Sequence, residues 1–259
     1  MGKFAGSGGH NYIVQGANSI YGKEHVEDRR FLDAVAKYVQ AAGWSYVNCS
    51  DEVGTTQTAV WSNAANNHLR VKDSNVDCQF HLNATPGATG CEVWLHPSYG
   101  NKELAAKISK AMADAFGLKD RGIKFSTELG WINKTKTGLL PEICFIDNEV
   151  DMQKYRANFD KAAKAVAEVI VGKPIQGGEN NTTNGGYQYV KSGGFGVSMV
   201  QEVLNAMNER GTKGQVISDP STGIAYLQTE VLPNGELDKI TAWMDERPEG
   251  KWFYEYFKK

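Results

Sequence analysis

Along the first 172 residues, short apolar runs of strand length take turns with longer segments whose apolar positions recur every three or four residues. Residues 45–48, 76–83, 91–96 and 139–146 read as strands. Residues 58–70, 102–116 and 152–171 read as helices. Leu104, Ile108, Met112 and Phe116 make one face of the second helix, and Phe159, Ala163, Val166 and Ile170 one face of the third. An earlier helix carries Phe31, Val35, Val39 and Ala42 as a core stripe, with Leu32 and Tyr38 beside it. Strands that alternate with helices bury a sheet between helical layers. The expectation is therefore an α/β fold with a largely parallel sheet.

The alternation stops at a polar, glycine-rich stretch, residues 172–186, which cannot contribute to a core. It predicts a flexible linker at 173–186 between a domain at 1–172 and a smaller one at 187–259. The smaller domain reads as strands at 187–190, 214–218, 224–231 and 252–257 with helices at 197–210 and 237–244. That order, βαββαβ, is the order of a ferredoxin-like α+β sandwich.

A formal net charge of -2 gives no reason to expect a nucleic-acid partner. No apolar run approaches the length of a membrane span, so no membrane partner is expected either. The first residues lack the apolar core of a signal peptide. The expected location is a cytoplasm, until something else releases the chain. Four cysteines, none in a Cys-x-x-Cys pair, are expected to be buried free thiols rather than a disulfide framework.

Four residues carry the candidate chemistry. His10 follows Gly6-Ser7-Gly8-Gly9, read as a turn that lifts it to a strand end. The cluster lacks the lysine of a phosphate loop and the third glycine of a dinucleotide fingerprint. His81 lies towards the end of the strand 76–83. In an α/β sheet the residues just past the carboxyl ends of strands line one crevice, which brings distant histidines together. Two histidines and a carboxylate can hold zinc with one position open. The helix start offers Glu24, Glu27 and Asp28, and the residues alone do not separate them. Glu142 interrupts the apolar strand 139–146. Burying a carboxylate is costly unless it is paired or near a cation, which makes Glu142 a candidate general acid and base. The alternative is an edge strand with Glu142 in water. Asn83 lies two residues beyond His81, on the same strand face, and is a candidate for substrate contact. His25, His68 and His96 read as surface residues. In the small domain, Trp252, Tyr254 and Tyr256 alternate with Phe253, Glu255 and Phe257. One set must cover the helices. The other is expected to be an open binding face, with Trp252, Tyr254 and Tyr256 as aromatics able to stack on sugar rings.

The stretches Gly8-Gly9-His10, Phe80-His81-Leu82-Asn83-Ala84, Gly90-Cys91-Glu92-Val93-Trp94 and Leu140-Pro141-Glu142-Ile143-Cys144-Phe145-Ile146-Asp147 resemble the zinc-dependent N-acetylmuramoyl-L-alanine amidases, and most of all their phage endolysin branch. The resemblance covers about residues 1–172. It implies Zn2+ held by His10, Glu24 and His81, with Glu142 moving the protons. Glu24 is singled out because the family places this ligand about nineteen residues before the glycine that ends the helix, here Gly43. The implied substrate is bacterial peptidoglycan, cut between N-acetylmuramic acid and L-alanine. The small domain would then bind a cell-wall carbohydrate or peptide, and the protein would be a lysin acting on the wall after release from the host cytoplasm. Two alternatives stay open: a zinc peptidase for another peptidoglycan amide, and a catalytically silent wall-binding or regulatory protein. A silent relative would be free to lose the ligand set and Glu142, and both are present.

Overall fold

The structure is a computed structural model, and it describes residues 2–175, 187–245, 247 and 252–258. The chain divides into two compact units, Met1–Gly178 and Glu179–Lys259. Of the stretch expected to be a linker, residues 176–186 lie outside the described residues.

The first unit runs β1 (Lys3–Gly8), β2 (Asn18–Ser19), β3 (Gly22–Lys23), α1 (Glu24–Ala41), β4 (Ser45–Asn48), α2 (Gln57–Arg70), β5 (Val76–Asn83), β6 (Cys91–Leu95), α3 (Lys102–Phe116), β7 (Asp120–Phe125), α4 (Gly130–Thr135), β8 (Leu139–Phe145), α5 (Glu149–Ala157) and α6 (Phe159–Val171). Six strands form one sheet in the order β4-β1-β5-β8-β6-β7. The pairings among β4, β1, β5 and β8 are parallel, while β6 runs antiparallel to β8 and parallel to β7. The sheet is thus α/β and largely parallel, as expected.

Alternation along the strands assigns the two faces. Cys78, Phe80, Leu82, Val93, Leu139 and Ile143 pack with α1, α3 and α6 in the main core. On the opposite face, Leu140 joins Ala64 and Ala65 of α2 with Trp131 and Ile132 of α4. Gln79, His81, Asn83, Glu92, Trp94 and Glu142 alternate with the main-core residues and so belong to this second face.

Helix α3 has the expected bounds because both ends are signalled locally. The Asn101 side chain accepts from the Leu104 amide at 3.0 Å, and Gly117 ends the helix with φ 70°. The single helix expected over 152–171 is two. Asn148 caps an earlier start by accepting from Val150 and Asp151, and the backbone leaves helical geometry at Asn158. The glycine cluster is also not a turn: Gly6, Ser7 and Gly8 are the end of strand β1. Strand β7 and helix α4 were not anticipated. The first is a partly exposed, charge-rich strand at the sheet edge, and the second is only six residues long. The four cysteines are free and buried.

The second unit runs β9 (Tyr187–Ser192), β10 (Phe195–Gly196), α7 (Val200–Glu209), β11 (Gly214–Asp219), β12 (Ile224–Thr229), β13 (Leu232–Pro233), α8 (Asn234–Asp245) and β14 (Tyr254–Lys258). Its long strands pair antiparallel in the order β11-β12-β9-β14. With α7 and α8 this gives the βαββαβ order read from the sequence. Val190 and Leu227 face Val203, Met207, Leu237, Ile240 and Met244 in its core.

The face expected to be open is the other one. Trp252 stacks on Phe195 at 5.0 Å and meets Trp243 of α8 edge-on at 5.5 Å. The Tyr254 hydroxyl donates to Asp245 at 2.9 Å and that of Tyr256 to Asp238 at 3.0 Å, both on α8. The alternation was legible, but its phase was not. The acceptors on α8 let the phenols satisfy their hydroxyls on the helix side.

Candidate metal centre and active site

The glycines of β1 admit close packing from two sides. A Cβ at Gly6 would stand 2.4 Å from Leu32, and one at Gly8 2.5 Å from the Asp28 carboxylate. One at Gly9 would stand 1.9 Å from the His81 ring. Helix α1 and His81 therefore lie directly on the strand backbone. Asp28 is fully buried and accepts from the amides of Gly9 and His10 at 2.9 and 3.3 Å. It fixes the backbone that presents His10. Burial pushes its pKa up to about 7, against the neighbouring Arg29 guanidinium.

Glu24 is the first residue of α1, where the chain enters from the β2–β3 hairpin. Its Oε2 accepts from the Ala17 amide at 2.7 Å and its Oε1 from the Leu82 amide at 3.2 Å. The same Oε1 lies 2.9 Å from His81 Nδ1 and 3.4 Å from His10 Nε2. The two imidazoles meet edge to face with centroids 5.1 Å apart. A Cβ at Gly16 would stand 2.4 Å from Glu24 Oε2, and its φ of 71° also favours glycine. Among the described residues, His10, Glu24 and His81 form a group with ligand atoms all within 4.8 Å of one another.

The charges follow from this packing. Burial disfavours the His81 cation, but the hydrogen bond and charge of Glu24 outweigh it and push the ring up to about 9. Burial, seconded by His81, pulls His10 down to about 4. Burial would raise Glu24, yet the bond from His81 and the charges of both rings hold it below the usual carboxylate range.

Glu142 stands opposite His81 on β5 and opposite Glu92 on β6. One row across three strands thus reads His81, Glu142, Glu92. The Glu142 Oε2 is buried without a hydrogen-bond partner. Burial pushes its carboxyl up to about 8, with His81 opposing and Glu24 and Glu92 adding to the rise.

Glu92 is a functional candidate that sequence reasoning passed over, although its motif was noted. It is buried, pairs with Arg121 at 2.6 Å, and accepts from Asn83 Nδ2 at 3.2 Å and Trp94 Nε1 at 3.1 Å. An acid between Cys91 and Val93 in an apolar strand was the available signal. A groove of about 630 Å³ opens beside it, lined by Asn83, Trp94, Phe125, Leu129 and Glu142.

The structure brings His10, Glu24 and His81 together, sets Glu142 beside them and Asn83 at the groove. It leaves out Glu27, which instead accepts from Tyr155 and pairs with Arg30. The surface reading of the other three histidines is overturned, since all are buried. His68 bridges Asp77 at 2.8 Å and Ser7 at 2.9 Å. His25 packs against Tyr12, and burial pulls its pKa to about 4. His96 accepts from the Ser98 amide and packs against Tyr99. His68 and His25 meet residues well removed along the chain, whereas His96 packs with its near neighbours Ser98 and Tyr99.

Residues 209–256 match the family model described as the PlyG cell wall binding domain. An uncharacterized protein of Clostridium perfringens (strain 13 / Type A) is 29% identical over 183 residues, 67% of this chain and 53% of its own length. An uncharacterized 38.4 kDa protein of Clostridium perfringens is 27% identical over 158 residues, 60% of this chain and 46% of its own. The chain spans about half the length of the curated relatives it matches. Among solved structures, the catalytic domain of the CD27L endolysin targeting Clostridia Difficile superposes with TM-score 0.56 at 22% identity, covering 68% of this chain and 100% of that one. The catalytic domain of CwlV, an N-acetylmuramoyl-L-alanine amidase from Bacillus (Paenibacillus) polymyxa var. colistinus, gives TM-score 0.54 at 22% identity, with 66% and 97% covered. These likenesses show the fold. The match that spans His10, Glu24, His81 and Glu142 is to the family model described as N-acetylmuramoyl-L-alanine amidase, over residues 5–171, and the chain belongs to that family.

Proposed function

We propose that the chain hydrolyses the amide between N-acetylmuramic acid and L-alanine in peptidoglycan, with zinc held by His10, Glu24 and His81. The observation that carries this reading is the convergence of three ligand atoms within 4.8 Å beside Glu142, whose buried Oε2 has no partner. Two imidazole nitrogens and one carboxylate oxygen suit zinc and leave a coordination position open. A zinc ion bound there supplies Lewis acidity at the scissile carbonyl and a lowered pKa for the attacking water. Glu142 takes the water's proton and returns it to the leaving amine of L-alanine. Asn83, with its amide turned by Glu92, and Trp94 orient the substrate in the groove.

The second unit ties the enzyme to the cell wall, in keeping with the match over 209–256. In this reading residues 1–172 are catalytic, 173–186 link, and 187–259 bind. Tethering raises the local enzyme concentration on an insoluble polymer. No helix among the described residues is long and apolar enough to cross a membrane. The protein acts as a lysin released onto the wall from inside a host.

Elemental analysis and wall clearing test the reading together. The purified chain should carry about one zinc and clear purified walls. His81→Ala should lose both. Full zinc in His81→Ala, or clearing that survives complete removal of metal, would overturn it.

A further inference from the structure

The sheet of the second unit has one face under α7 and α8 and one turned away from them, and the second is built as three rows. Register places Gln215, Gln228, Lys191 and Glu255 side by side across β11, β12, β9 and β14. On one side of this polar row, Tyr189 and Phe257 are register partners, stacked at 5.2 Å with their planes 18° apart. On the other side, Tyr226 lies beneath the Lys191 ammonium at 5.4 Å. The same register carries Gly193 opposite Tyr226, and the Gly193 amide bonds to the Phe253 carbonyl. Phe253 is 68% exposed and packs against Gly193, where an added Cβ would stand 3.4 Å from the Phe253 Cβ. Residues two apart on a strand lie about 6.8 Å apart, so the aromatic rows stand about 13 Å apart.

We propose that this face is the wall-binding site of the second unit, and that its ligand is a neutral cell-wall glycan laid across the strands. The proposal rests on the cell-wall reading above and gives that reading a place and a ligand class. Sugar rings present C–H faces to flat aromatics and hydroxyls at their edges. Tyr226, Phe253, Tyr189 and Phe257 offer the flat surfaces, and the amides of Gln215 and Gln228 offer both donors and acceptors. A peptide would instead seek unpaired backbone at a sheet edge. The polar row carries one positive and one negative charge, and Glu230 borders the groove of about 500 Å³ that continues from it past Tyr189 and Gln228. With no excess of cations, the face does not suit a polyanionic wall polymer. The helix-side residues Trp252, Tyr254 and Tyr256 support β14 from behind.

The test uses the full chain carrying Glu142→Gln, so that walls are bound without being cut. The probes are purified walls from a panel of Gram-positive species and the neutral glycan released from whichever wall retains the chain. Phe253→Ala, Gln228→Ala and the double variant Tyr189→Ala/Phe257→Ala are compared with Gln201→Ala, on the exposed side of α7. Thermal unfolding reports whether each variant is folded. The expected result is retention of the parent and of Gln201→Ala, and competition by the released glycan. The face variants should lose about tenfold or more in apparent affinity. Equal retention of the parent and of folded Phe253→Ala and Gln228→Ala overturns the assignment of the face and leaves wall binding standing. Retention that the glycan does not compete overturns the ligand class. A dimer that these substitutions break would make the occupant a second copy of the chain. If no wall in the panel retains the parent, the wall reading falls and the proposal falls with it.

Discussion

His81 and Glu142 are register partners on the neighbouring parallel strands β5 and β8, so the ring bound to Glu24 and the unpartnered carboxyl share one face of the sheet. Side chains that face each other across paired strands are held by the backbone ladder itself. The carboxyl proposed to move the protons is thereby held beside the proposed metal ligands without a hydrogen bond at its Oε2.

Glu142→Gln should keep the fold and the zinc while wall hydrolysis falls by about 10²–10⁴-fold, the usual contribution of a general acid–base group. Removing a buried, unpartnered carboxyl should leave the melting temperature equal to the parent's or above it. Calorimetry and a clearing assay on the same sample check both. Near-normal hydrolysis by the folded variant would remove Glu142 from the reaction.

Gly9→Ala should weaken zinc binding although Gly9 is no ligand. Its Cβ would stand 1.9 Å from the His81 ring, so either the ring or the strand end must move. Titration against a chelator of known affinity should show a loss of about tenfold or more, because supports of metal ligands typically contribute about 10–100-fold. Unchanged affinity would mean that the ring is not held where the metal needs it.

Zinc binding near neutral pH should release about one to two protons, one from His81 and up to one from Glu142, whose carboxyl is raised to about 8 without the metal. The sign follows from the metal-free pKa values. His81, raised to about 9, carries a proton at pH 7 that zinc must displace, whereas His10, lowered to about 4, is already neutral. Apparent affinity should therefore rise with pH until about 9 and then level off. Titration calorimetry in buffers of different ionisation enthalpy counts the protons, and a count of zero would contradict the charge assignment.

Much of this arrangement could be read from the sequence, and what could not be read shares one cause. Helix α3 was legible because Leu104, Ile108, Met112 and Phe116 recur at helical spacing, and β5 and β8 because their apolar runs have strand length. The role of Gly6, Gly8 and Gly9 was not legible, since what they accommodate, Leu32, Asp28 and His81, lies far along the chain. The burial of His68 depends on Asp77 and Ser7 in the same way. On β14 the alternation gave two faces, but only the carboxylates of α8 decide which one turns inward. Glu24 was separated from Glu27 and Asp28 only by a family spacing. In the structure, helical geometry sends each carboxyl to different partners.

Glu92→Ala should lower activity chiefly by raising KM. It leaves Asn83 and Trp94 without the acceptor that orients them and Arg121 without its pair. Lost hydrogen bonds to a buried carboxylate cost about 1–3 kcal/mol in stability. Steady-state kinetics on a soluble muropeptide, beside a thermal melt, would show both effects. A change in kcat alone would place Glu92 in the chemistry rather than in substrate positioning.

The most direct test of the central claim is identification of the chain ends produced when the purified protein digests purified peptidoglycan. Amide cleavage predicts new amino termini that are all alanine, in step with free lactyl carboxyls on N-acetylmuramic acid, and no new reducing sugar ends. New reducing ends, or new amino termini from any other residue of the stem peptide, would contradict it.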